Sequence, residues 1–576
     1  MGPMRPESLL YAVDEVLPPS RLAILGLQYA VQVAVYLVIV VIVLRHAHVS
    51  HEVGIGVLSC ACVAIAIGTA LQALPRGPVG SGFLAPPVFS AIYLAPSVLA
   101  AEIGGLPLVF GMTIFAALLE LLLSFCVRRL RVIFQPILAG LTVFVVGLQL
   151  GLVGIGQTLD VRHEALPQFP LHLVVTTLTL ASCVGLSIWG KGAWRLFCAL
   201  IALTTGVISA IAVGLIDHKS LLMPTDLPFV AVPRPALLGY GFNIGLIPAF
   251  LAAGLAATLR TVGVVTTCQR INDASWQRPD MASIERGIRA DALGTLIGGI
   301  LGAPGMNIAP SLVGISAATQ ATSRVIAFAA AAVLLVFAFL PKIVGGFLEL
   351  PSEIAGAMLV FTSSFMITSG MQIMLSRTVD NRAIFVISVS TLLALSKNVF
   401  PTYFSDLSPI GRSFASSDLA IGLTAAIALT LLFRFGTKQT ARLNWSSAHQ
   451  SPADGSAFVK NVCEGWRSRP QVVAGVHSAA EGILTHIKTL CGSEQTVFTS
   501  LTYDGLDVIL DMRCAASDIS GVQVAPRSPA LIGGDVDNEE SAAWVGLQNY
   551  LATVYADRKR IYKSGDLLVL ELRFEV

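Results

Sequence analysis

Apolar runs long enough to cross a lipid bilayer recur along residues 22–434. A membrane-spanning helix needs about 20 predominantly apolar residues, and about fourteen segments of this chain come near that length. Hydrophobic residues fill 55% of the 576 positions and charged residues only 12%, whereas a soluble domain has about 25% charged residues. The sequence therefore predicts an α-helical polytopic membrane protein and excludes an ordinary cytosolic enzyme.

Proline interrupts two of these segments. The third, residues 82–99, contains three prolines, and the tenth, residues 307–318, contains Pro310. An interior proline removes a backbone donor and breaks a helix. Interrupted segments at matching positions of two halves point to a transport site, so we predict 14 transmembrane segments in 7+7 inverted repeats, with half-helices in the third and the tenth. The alternative is that both segments are kinked packing helices.

The composition divides the chain into four parts. Residues 1–20 lack a basic start followed by an apolar core, so they are predicted to be a cytosolic segment rather than a secretory signal. Residues 21–435 hold the apolar segments and form the predicted transporter domain. After a predicted linker at 436–455, the charged fraction rises to the level of soluble proteins, which predicts a small cytosolic α/β domain over residues 456–576.

Charge and cysteine content limit the orientation and the partners. Lysine and arginine are more frequent in loops after even-numbered segments, which predicts that these loops and both termini are cytoplasmic. The formal net charge is only +2, so no nucleic-acid partner is expected. The 9 cysteines show no CxxC pair, and we therefore expect no disulfide framework, no metal site and no cofactor.

Short motifs of small and polar residues follow one another in a fixed order. They are Gly26-Leu27-Gln28, Gly80-Ser81-Gly82-Phe83, Gln135-Pro136, Gly147-Leu148-Gln149, Thr261-Val262-Gly263, Gln269-Arg270-Ile271-Asn272-Asp273, Ala290-Asp291-Ala292-Leu293-Gly294, and Gly314 with Thr319. The ordered set resembles the nucleobase–ascorbate transporter family, the bacterial xanthine/uracil permeases, over about residues 20–435. The resemblance implies a bacterial inner-membrane transporter with a core and a gate domain, an elevator-type movement and a homodimer. The sulfate-permease and bicarbonate transporter families share that architecture.

The resemblance also implies where substrate binds. The candidate substrate-binding residues are Gln28, Tyr29, Phe83, Leu84, Gln149, Arg260, Val264, Pro310, Ser311 and Gly314. The amides of Gln28 and Gln149 are suited to the polar edge of a base, and they serve equally well to join helices. Phe83 is suited to stacking on a planar ring or to packing.

The sequence departs from the family where the family places its carboxylate. The family's buried Glu of the eighth segment, and the His or Asp four residues later, correspond here to Arg260 and Val264. In the tenth segment Ser311 replaces the usual Glu, Gln or Pro, and in the first segment Tyr29 replaces the common His. The residues that hold a neutral base in the family are therefore absent.

Arg260 brings a permanent charge into the eighth segment. Arginine does not lose its proton in proteins, and a charge at bilayer depth is costly and functional by default. We expect Arg260 to meet an anionic solute of the xanthine, urate or uracil type, with half-helices that begin near Phe83 and Pro310 aimed at the same point. The alternatives are that Arg260 pairs with Glu120 or extends to the cytoplasmic face. For the whole chain, an inorganic or carboxylate anion transporter and a membrane sensor remain open.

Coupling is expected to differ from that of the family. Without the usual carboxylate, we predict that proton coupling through the eighth segment is lost. Exchange, facilitated diffusion and coupling through another acid stay open, and Glu120 is the candidate for that acid. Glu285, Arg289 and Asp291 are expected to form an ion-pair cluster where the ninth segment leaves the membrane.

The predicted C-terminal domain carries strand-like and glycine-rich patterns. Residues 497–501, 508–512 and 567–574 read as strands, and Ser541–Ala556 reads as a helix. Together with Gly533-Gly534-Asp535, this order weakly resembles a degenerate histidine-kinase-type ATP-binding fold. The resemblance implies a nucleotide or a regulatory partner, but the helix-borne Asn and the Asp-x-Gly-x-Gly motif that the fold needs are not evident.

Overall fold

Apolar helices make up most of the first 430 residues, and a unit with helices and a sheet follows them in the computed structural model. The two units are Met1–Thr430 and Leu431–Val576. The residues that the structure describes are 4–7, 9–127, 135–158, 169–191, 194, 197–215, 228–235, 238–276, 279–375, 379–407, 411, 414–415, 417–434, 438–466, 470–491, 496–504, 507–515, 547, 549–551, 553–554, 556, 558–564 and 567–575.

The helices of the first unit follow the apolar runs of the sequence. In chain order they are α1 (Pro19–Val35), α2 (Leu37–His46), α3 (His51–Ala73), α4 (Ala91–Cys126), α5 (Pro136–Thr158), α6 (Phe169–Trp189), α7 (Cys198–Ala212), α8 (Ile247–Asn272), α9 (Met281–Leu301), α10 (Pro310–Thr319), α11 (Val325–Ala338), α12 (Pro341–Leu348), α13 (Ser352–Met374), α14 (Asn381–Val399), α15 (Pro401–Ser405) and α16 (Asp418–Phe433). A 3₁₀ turn, Ile244–Leu246, precedes α8.

Fewer spans meet the length criterion than the fourteen expected. Within the described ranges, 8 helical stretches are long and apolar enough to cross a membrane, or 9 if α11 and α12, which meet at 83°, form one span. Two helices that lie within predicted segments are shorter than a helix that crosses a bilayer: α7 has 15 residues and α16 has 16. The first predicted segment is divided at Tyr36 into α1 and α2.

The two proline-interrupted segments pair with each other. Strand β1 (Pro87–Phe89) lies antiparallel to strand β2 (Met306–Ile308), with Val88 opposite Asn307. Proline cannot donate the hydrogen bond that a continuing helix requires, so the chain is extended in both segments, and each strand leads into a helix. The first half-helix begins at Ala91, not near Phe83 as expected, because Pro86 and Pro87 delay it. The second begins at Pro310.

Glycine separates the first half-helix from the fourth predicted segment. Within α4 the backbone leaves the helical region at Gly104 (φ −145°) and Gly105 (φ +66°). A positive φ of this kind is accessible to glycine at little cost. The residues before the break form the half-helix, and the residues after it, including Glu120, form the following segment.

Close helix packing defines two groups of helices in the first unit. Helix α4 packs against α8 and α9, and α3 packs against α9 and α11. Helix α5 packs most extensively against α13, where glycines on both helices allow the backbones to approach. A Cβ atom added to Gly370 would lie 2.5 Å from the backbone nitrogen of Phe144.

The N-terminal segment packs against the ends of α8 and α10. The backbone nitrogen of Met4 donates to Asp273 over 2.9 Å, and Tyr11 bridges Ala321. Arg324 forms an ion pair of 2.6 Å with Asp14. The described residues between 4 and 17 thus contact the C-terminal end of α8 and the segment that follows α10.

The second unit is a five-stranded antiparallel sheet with two helices. Its strands are β3 (Gln439–Ser446), β4 (Thr496–Tyr503), β5 (Asp507–Ala515), β6 (Arg558–Ser564) and β7 (Leu567–Glu575), in the spatial order β3-β4-β5-β7-β6. Helices α17 (Pro452–Gly465) and α18 (Pro470–Cys491) lie between β3 and β4 in the chain. Fully buried Trp445 belongs to their common core.

One element of the second unit was not expected from the sequence. Strand β3 falls inside residues 436–455, which were expected to be a linker, because its backbone pairs with β4 along its full length. Helical residues occur from Leu547 onward, whereas Ser541 and the glycines at 505, 533, 534 and 565 lie outside the described residues. The glycine-rich patterns that suggested a nucleotide fold therefore lie outside the described residues, whereas the three predicted strands are found as β4, β5 and β7.

Candidate functional site

Arg260 lies in the middle of α8 and is almost completely buried, with 3% of its surface exposed. Its Nη1 atom donates a hydrogen bond of 3.1 Å to Oγ of Ser90. Its Nε atom is buried and has no hydrogen-bond partner among the residues that the structure describes. A buried charge needs compensation. The guanidinium of Arg260 can therefore bind an additional acceptor through its Nε atom.

Ser90 is the N-cap of the first half-helix. Its Oγ atom accepts from the backbone nitrogen of Ile92 at 3.3 Å, and its own backbone nitrogen donates to the carbonyl of Gly305 at 3.2 Å. The N-terminus of a helix carries partial positive charge and unpaired N–H groups. Arg260 is thus held at the positive end of a helix. The guanidinium and the helix N-terminus would both stabilise an anion there.

The second half-helix approaches from the other side through Tyr36 and Ser311. The Tyr36 hydroxyl lies 2.9 Å from Oγ of Ser311, in the first turn of α10. Tyr36 stands at the break between α1 and α2, and it is close enough to Arg260 to interact with it electrostatically. The breaks in three segments therefore converge around one buried cation.

A buried hydrogen-bond network joins α8, α9 and β2 beside this cation. Oγ1 of Thr261 donates to Oδ2 of Asp291 at 2.9 Å. Nδ2 of Asn307 donates to the same carboxylate, to Oγ1 of Thr261 at 3.0 Å and to the carbonyl of Ala257 at 3.1 Å. The other carboxylate atom, Oδ1 of Asp291, is buried without a partner in the described part of the chain.

The expected boundary cluster on α9 is only partly correct. Glu285 and Arg289 form an ion pair of 3.8 Å one helical turn apart. Asp291 does not join them and is 2% exposed. Residues two positions apart on a helix do not share a face, so Asp291 faces Thr261 on α8 whereas Arg289 donates to the carbonyl of Pro78.

Glu120 does not neutralise Arg260. Glu120 is fully buried on α4, and neither of its carboxyl oxygens receives a hydrogen bond from an N–H or hydroxyl donor among the described residues. Its electrostatic neighbours are Asp291 and Tyr93. The internal ion pair that was the alternative for Arg260 is therefore not formed, and the extension of Arg260 to the cytoplasmic face is also wrong, because its side chain is buried.

Two candidates on α1 are buried side by side in the sequence and differ in their contacts. The Tyr29 hydroxyl is 2.6 Å from Oγ of Ser316 on α10. Gln28 is fully buried, and within the described ranges its amide nitrogen and oxygen both lack partners. Buried amides are normally hydrogen-bonded, so Gln28 has free capacity for a ligand.

The other candidates contribute less polar contact. Val264 belongs to an apolar cluster against which Phe83 packs, and Leu84 is also buried. Pro310 opens α10, Gly314 is exposed and Gln149 is half-buried on α5. Phe83, Leu84 and Val264 thus support the packing around the site.

Several polar residues of the site were not found from the sequence. Ser90 follows the Pro86-Pro87 pair and precedes an apolar helix, which is an N-cap pattern that would have identified it. Asn307 stands three residues before Pro310, where the half-helix of the tenth segment begins. Tyr36 has no such signal, because nothing in the apolar run around it marks the break between α1 and α2.

A small void borders Tyr36 on the side of α5 and α13. It measures about 10 Å³ and is lined by residues that include Leu150 and Thr362. A volume of that size holds about one water molecule. The void between Tyr36 and Thr362 is thus too small for a solute larger than water.

Broken segments that meet at a buried charge inside a bundle of apolar helices are typical of membrane transporters. Residues 20–402 match the Permease family of xanthine/uracil permeases, and the chain belongs to this family. The resemblance drawn from the ordered motifs is thereby confirmed.

Individual relatives are similar over the same region. The chain is 26% identical over 372 residues to a putative purine permease of Clostridium perfringens, with 64% of this chain and 80% of the relative covered. It is 24% identical over 380 residues to the xanthine permease XanP of Escherichia coli K12, with 64% and 82% covered. Among solved structures, the transmembrane domain of the cyanobacterial bicarbonate transporter BicA is similar at a TM-score of 0.43 and 14% identity, covering 73% of this chain and 99% of BicA's.

Proposed function

We propose that this protein moves a nucleobase of the xanthine, urate or uracil type across the bacterial inner membrane, and that it carries the base as an anion. The observation that carries the proposal is the position of Arg260, buried at the N-terminus of a half-helix with Nε free of protein partners among the described residues. The relatives named as purine and xanthine permeases support a base rather than an inorganic anion.

The polar groups of the site suit the edge of a deprotonated base. Arginine presents a planar fork that matches two adjacent acceptors, such as the oxygen and nitrogen of an ionised purinedione. The first-turn N–H groups of the half-helix after Ser90 add partial positive charge. The hydroxyls of Tyr36 and Ser311 and the unpaired amide of Gln28 supply further donors and acceptors.

The proposed transport cycle is of the elevator type. We infer 14 segments in 7+7 inverted repeats, with α1, α3, α4, α8, α9 and α11 in a core domain and α5, α6, α7 and α13 in a gate domain. The antiparallel pairing of β1 with β2 and the void between Tyr36 and Thr362 support this division. The same proposal includes a homodimer, with both termini and the second unit in the cytoplasm.

The second unit is proposed to regulate transport. Its sheet and two helices have a core of their own around Trp445. The proposed domains are therefore residues 1–20, the transporter domain 21–435 and a regulatory domain that includes β3. A membrane sensor that signals through this domain has less support, because the family match covers the membrane region.

Uptake into proteoliposomes tests the proposal. Labelled xanthine, urate, uracil and sulfate are offered to the wild type, to Arg260→Ala and to Arg270→Ala, which removes an exposed arginine from the last turn of the same helix. We expect the wild type and Arg270→Ala to transport a base and Arg260→Ala to lose that uptake. Equal uptake by wild type and Arg260→Ala would leave Arg260 a structural residue, and uptake of sulfate alone would favour an inorganic-anion transporter.

A further inference from the structure

We propose that a groove between α6 and α7 binds one anionic phospholipid, with an acyl chain between the two helices and the phosphate of the headgroup beside Lys191. This proposal goes beyond the transported solute. It concerns a groove that shares no residue with the site around Arg260, and it does not depend on what binds there.

The groove is a cavity of about 660 Å³ formed by α6, α7 and the segment between them. That volume lies within the range of ligand pockets, about 300–1,000 Å³. The two helices touch at one point, where a Cβ atom added to Gly206 on α7 would lie 2.4 Å from Oγ1 of Thr179 on α6. Beyond that contact the groove is lined by Ala181, Ser182, Gly185, Leu186, Ile201 and Thr205.

The helical part of the groove is suited to an acyl chain. Ala181 and Gly185 on α6 are small and leave space beside the backbone of the helix. The hydroxyl of Thr205 donates to the carbonyl of Ile201 on its own helix at 2.8 Å, so it needs no polar partner in the groove. A Cβ atom added to Gly185 would lie 3.5 Å from the ring of Trp189, which therefore forms a wall one turn further along α6.

Two tryptophans mark the open end of the groove. Trp189 is 79% exposed and Trp194 is 65% exposed, and both line the groove. The 21 residues of α6 rise about 30 Å along the helix axis, which is the thickness of the hydrocarbon core. Trp189, the last residue of α6, thus falls at the membrane–water interface, where tryptophan is enriched. The open end of the groove therefore lies at the level of the lipid headgroups.

Lys191 gives this end of the groove a positive charge. It is exposed and stands two residues after the end of α6, and no acidic side chain is among the described residues that line the groove. Basic pockets between transmembrane helices on the cytoplasmic side bind anionic headgroups, and this loop follows the sixth segment, on the predicted cytoplasmic side. A zwitterionic headgroup brings a cation that Lys191 would repel, so an anionic phospholipid is favoured.

The length of the groove favours a lipid over a helix from a second copy of the chain. From Ala181 to Trp189 the groove runs about 12 Å along α6, and α6 and α7 close it at Thr179 and Gly206. A lipid chain enters such a groove from its open end. A transmembrane helix of a partner continues across the whole bilayer, about 30 Å, and would not end at this contact.

Native mass spectrometry of the purified full-length protein counts the lipids that stay bound after detergent extraction. Phosphatidylglycerol and phosphatidylcholine with the same acyl chains are offered together at equal concentration. We expect the wild type to retain one lipid in the groove and to prefer phosphatidylglycerol by roughly fivefold, the preference that one lysine near an anionic lipid provides. Arg382→Ala, which removes an exposed arginine at the start of α14, should behave like the wild type.

Two variants separate the acyl chain from the headgroup. Gly185→Leu fills the groove, and its Cβ atom would make only an ordinary van der Waals contact with Trp189. We expect this variant to lose the bound lipid, whichever headgroup the lipid carries. Lys191→Ala should still retain a lipid but should no longer prefer phosphatidylglycerol.

Several results would overturn the proposal. One is equal retention of the two lipids by the wild type, and another is the same number of bound lipids in the wild type and in Gly185→Leu. If Gly185→Leu instead converts a dimer to a monomer at unchanged lipid retention, the groove is an interface between two copies. If inorganic phosphate removes the preference and sodium chloride of the same ionic strength does not, Lys191 binds a free anion. The comparison of the wild type with Lys191→Ala decides even if Gly185→Leu does not fold.

Discussion

The guanidinium of Arg260 donates a hydrogen bond of 3.1 Å to the side chain of Ser90, the residue that caps the half-helix at the start of α4. Two residues separated by 170 positions in the sequence thus place a permanent cation at the positive end of a helix. A cation and the positive end of a helix repel each other. An anion between them removes the repulsion, and for this reason the pair defines the centre of the site.

Replacement of Arg260 by other polar side chains is expected to weaken anion binding in a graded way. Arg260→Lys keeps the charge but loses the planar fork, and we expect its affinity for a base to fall by roughly tenfold. Arg260→Gln also loses the charge, and hydrogen bonds to charged groups contribute about 1.5–3 kcal/mol, so a loss of about a hundredfold is expected. Equilibrium binding to the purified protein measures both, and Arg270→Gln is the control. An unchanged affinity in Arg260→Gln would contradict the site.

Removal of the N-cap hydroxyl in Ser90→Ala is expected to destabilise the protein by about 1 kcal/mol, the usual cost of losing an N-cap. The change also frees Nη1 of Arg260, so binding of the anion should weaken as well. Thermal unfolding of the detergent-solubilised protein reports the first effect. The matched control is Ser97→Ala on the same half-helix, whose hydroxyl has no partner among the described residues. Equal unfolding temperatures for the two variants would argue against a capping role.

Asn307→Ala is expected to disturb both the stability of the protein and the binding of the anion at Arg260. Its amide joins β2 to Ala257, Thr261 and Asp291. Without it a buried carboxylate loses a donor, and a buried group left unsatisfied costs about 1–3 kcal/mol. Unfolding measurements check the stability, and equilibrium binding of xanthine or urate to the purified protein checks the function. Asn381→Ala, an exposed position in the first turn of α14, should change neither quantity.

The contact between α5 and α13 is expected to tolerate no side chain at Gly370. A Cβ atom there would lie 2.5 Å from the backbone nitrogen of Phe144, and the backbones of two helices cannot separate locally without losing their packing. Overpacking typically costs about 1–3 kcal/mol, so Gly370→Ala should lower the unfolding temperature. In Gly346→Ala the new atom meets nothing within 4 Å, and this variant should unfold like the wild type. If it is destabilised equally, close packing is not the cause.

A capping box in the second unit predicts a pH dependence. The backbone N–H and the hydroxyl of Ser451 hydrogen-bond to the Asp454 carboxylate and hold its pKa below the ordinary value. Because the folded pKa is lowered, this stabilisation is present above the ordinary pKa of about 3.9 and is lost as the pH falls through the folded value. Asp454→Asn should therefore increase hydrogen exchange in α17 at pH 7, and the difference from wild type should shrink below about pH 4. The exposed Glu464→Gln on the same helix is the control, and a difference that grows on acidification would refute this.

The sequence alone determined the features that depend on local chemistry. Apolar runs predicted a helical membrane protein, prolines placed the breaks in the third and tenth segments, and the ordered motifs led to the family. The unusual position of Arg260 was also evident, because its place in an apolar segment does not depend on which neighbours it meets.

The tertiary structure decided which residues meet. Helical periodicity assigns a residue to a face but does not identify the helix opposite that face, so Asp291 was expected at the membrane boundary and lies instead beside Arg260 and Glu120. Ser90 and Tyr36 gain their roles only when distant breaks are brought together, and β3 becomes a strand because β4 pairs with it. These contacts come from long-range packing, whose free energy is shared among segments far apart in the chain and leaves no local signal in any one of them.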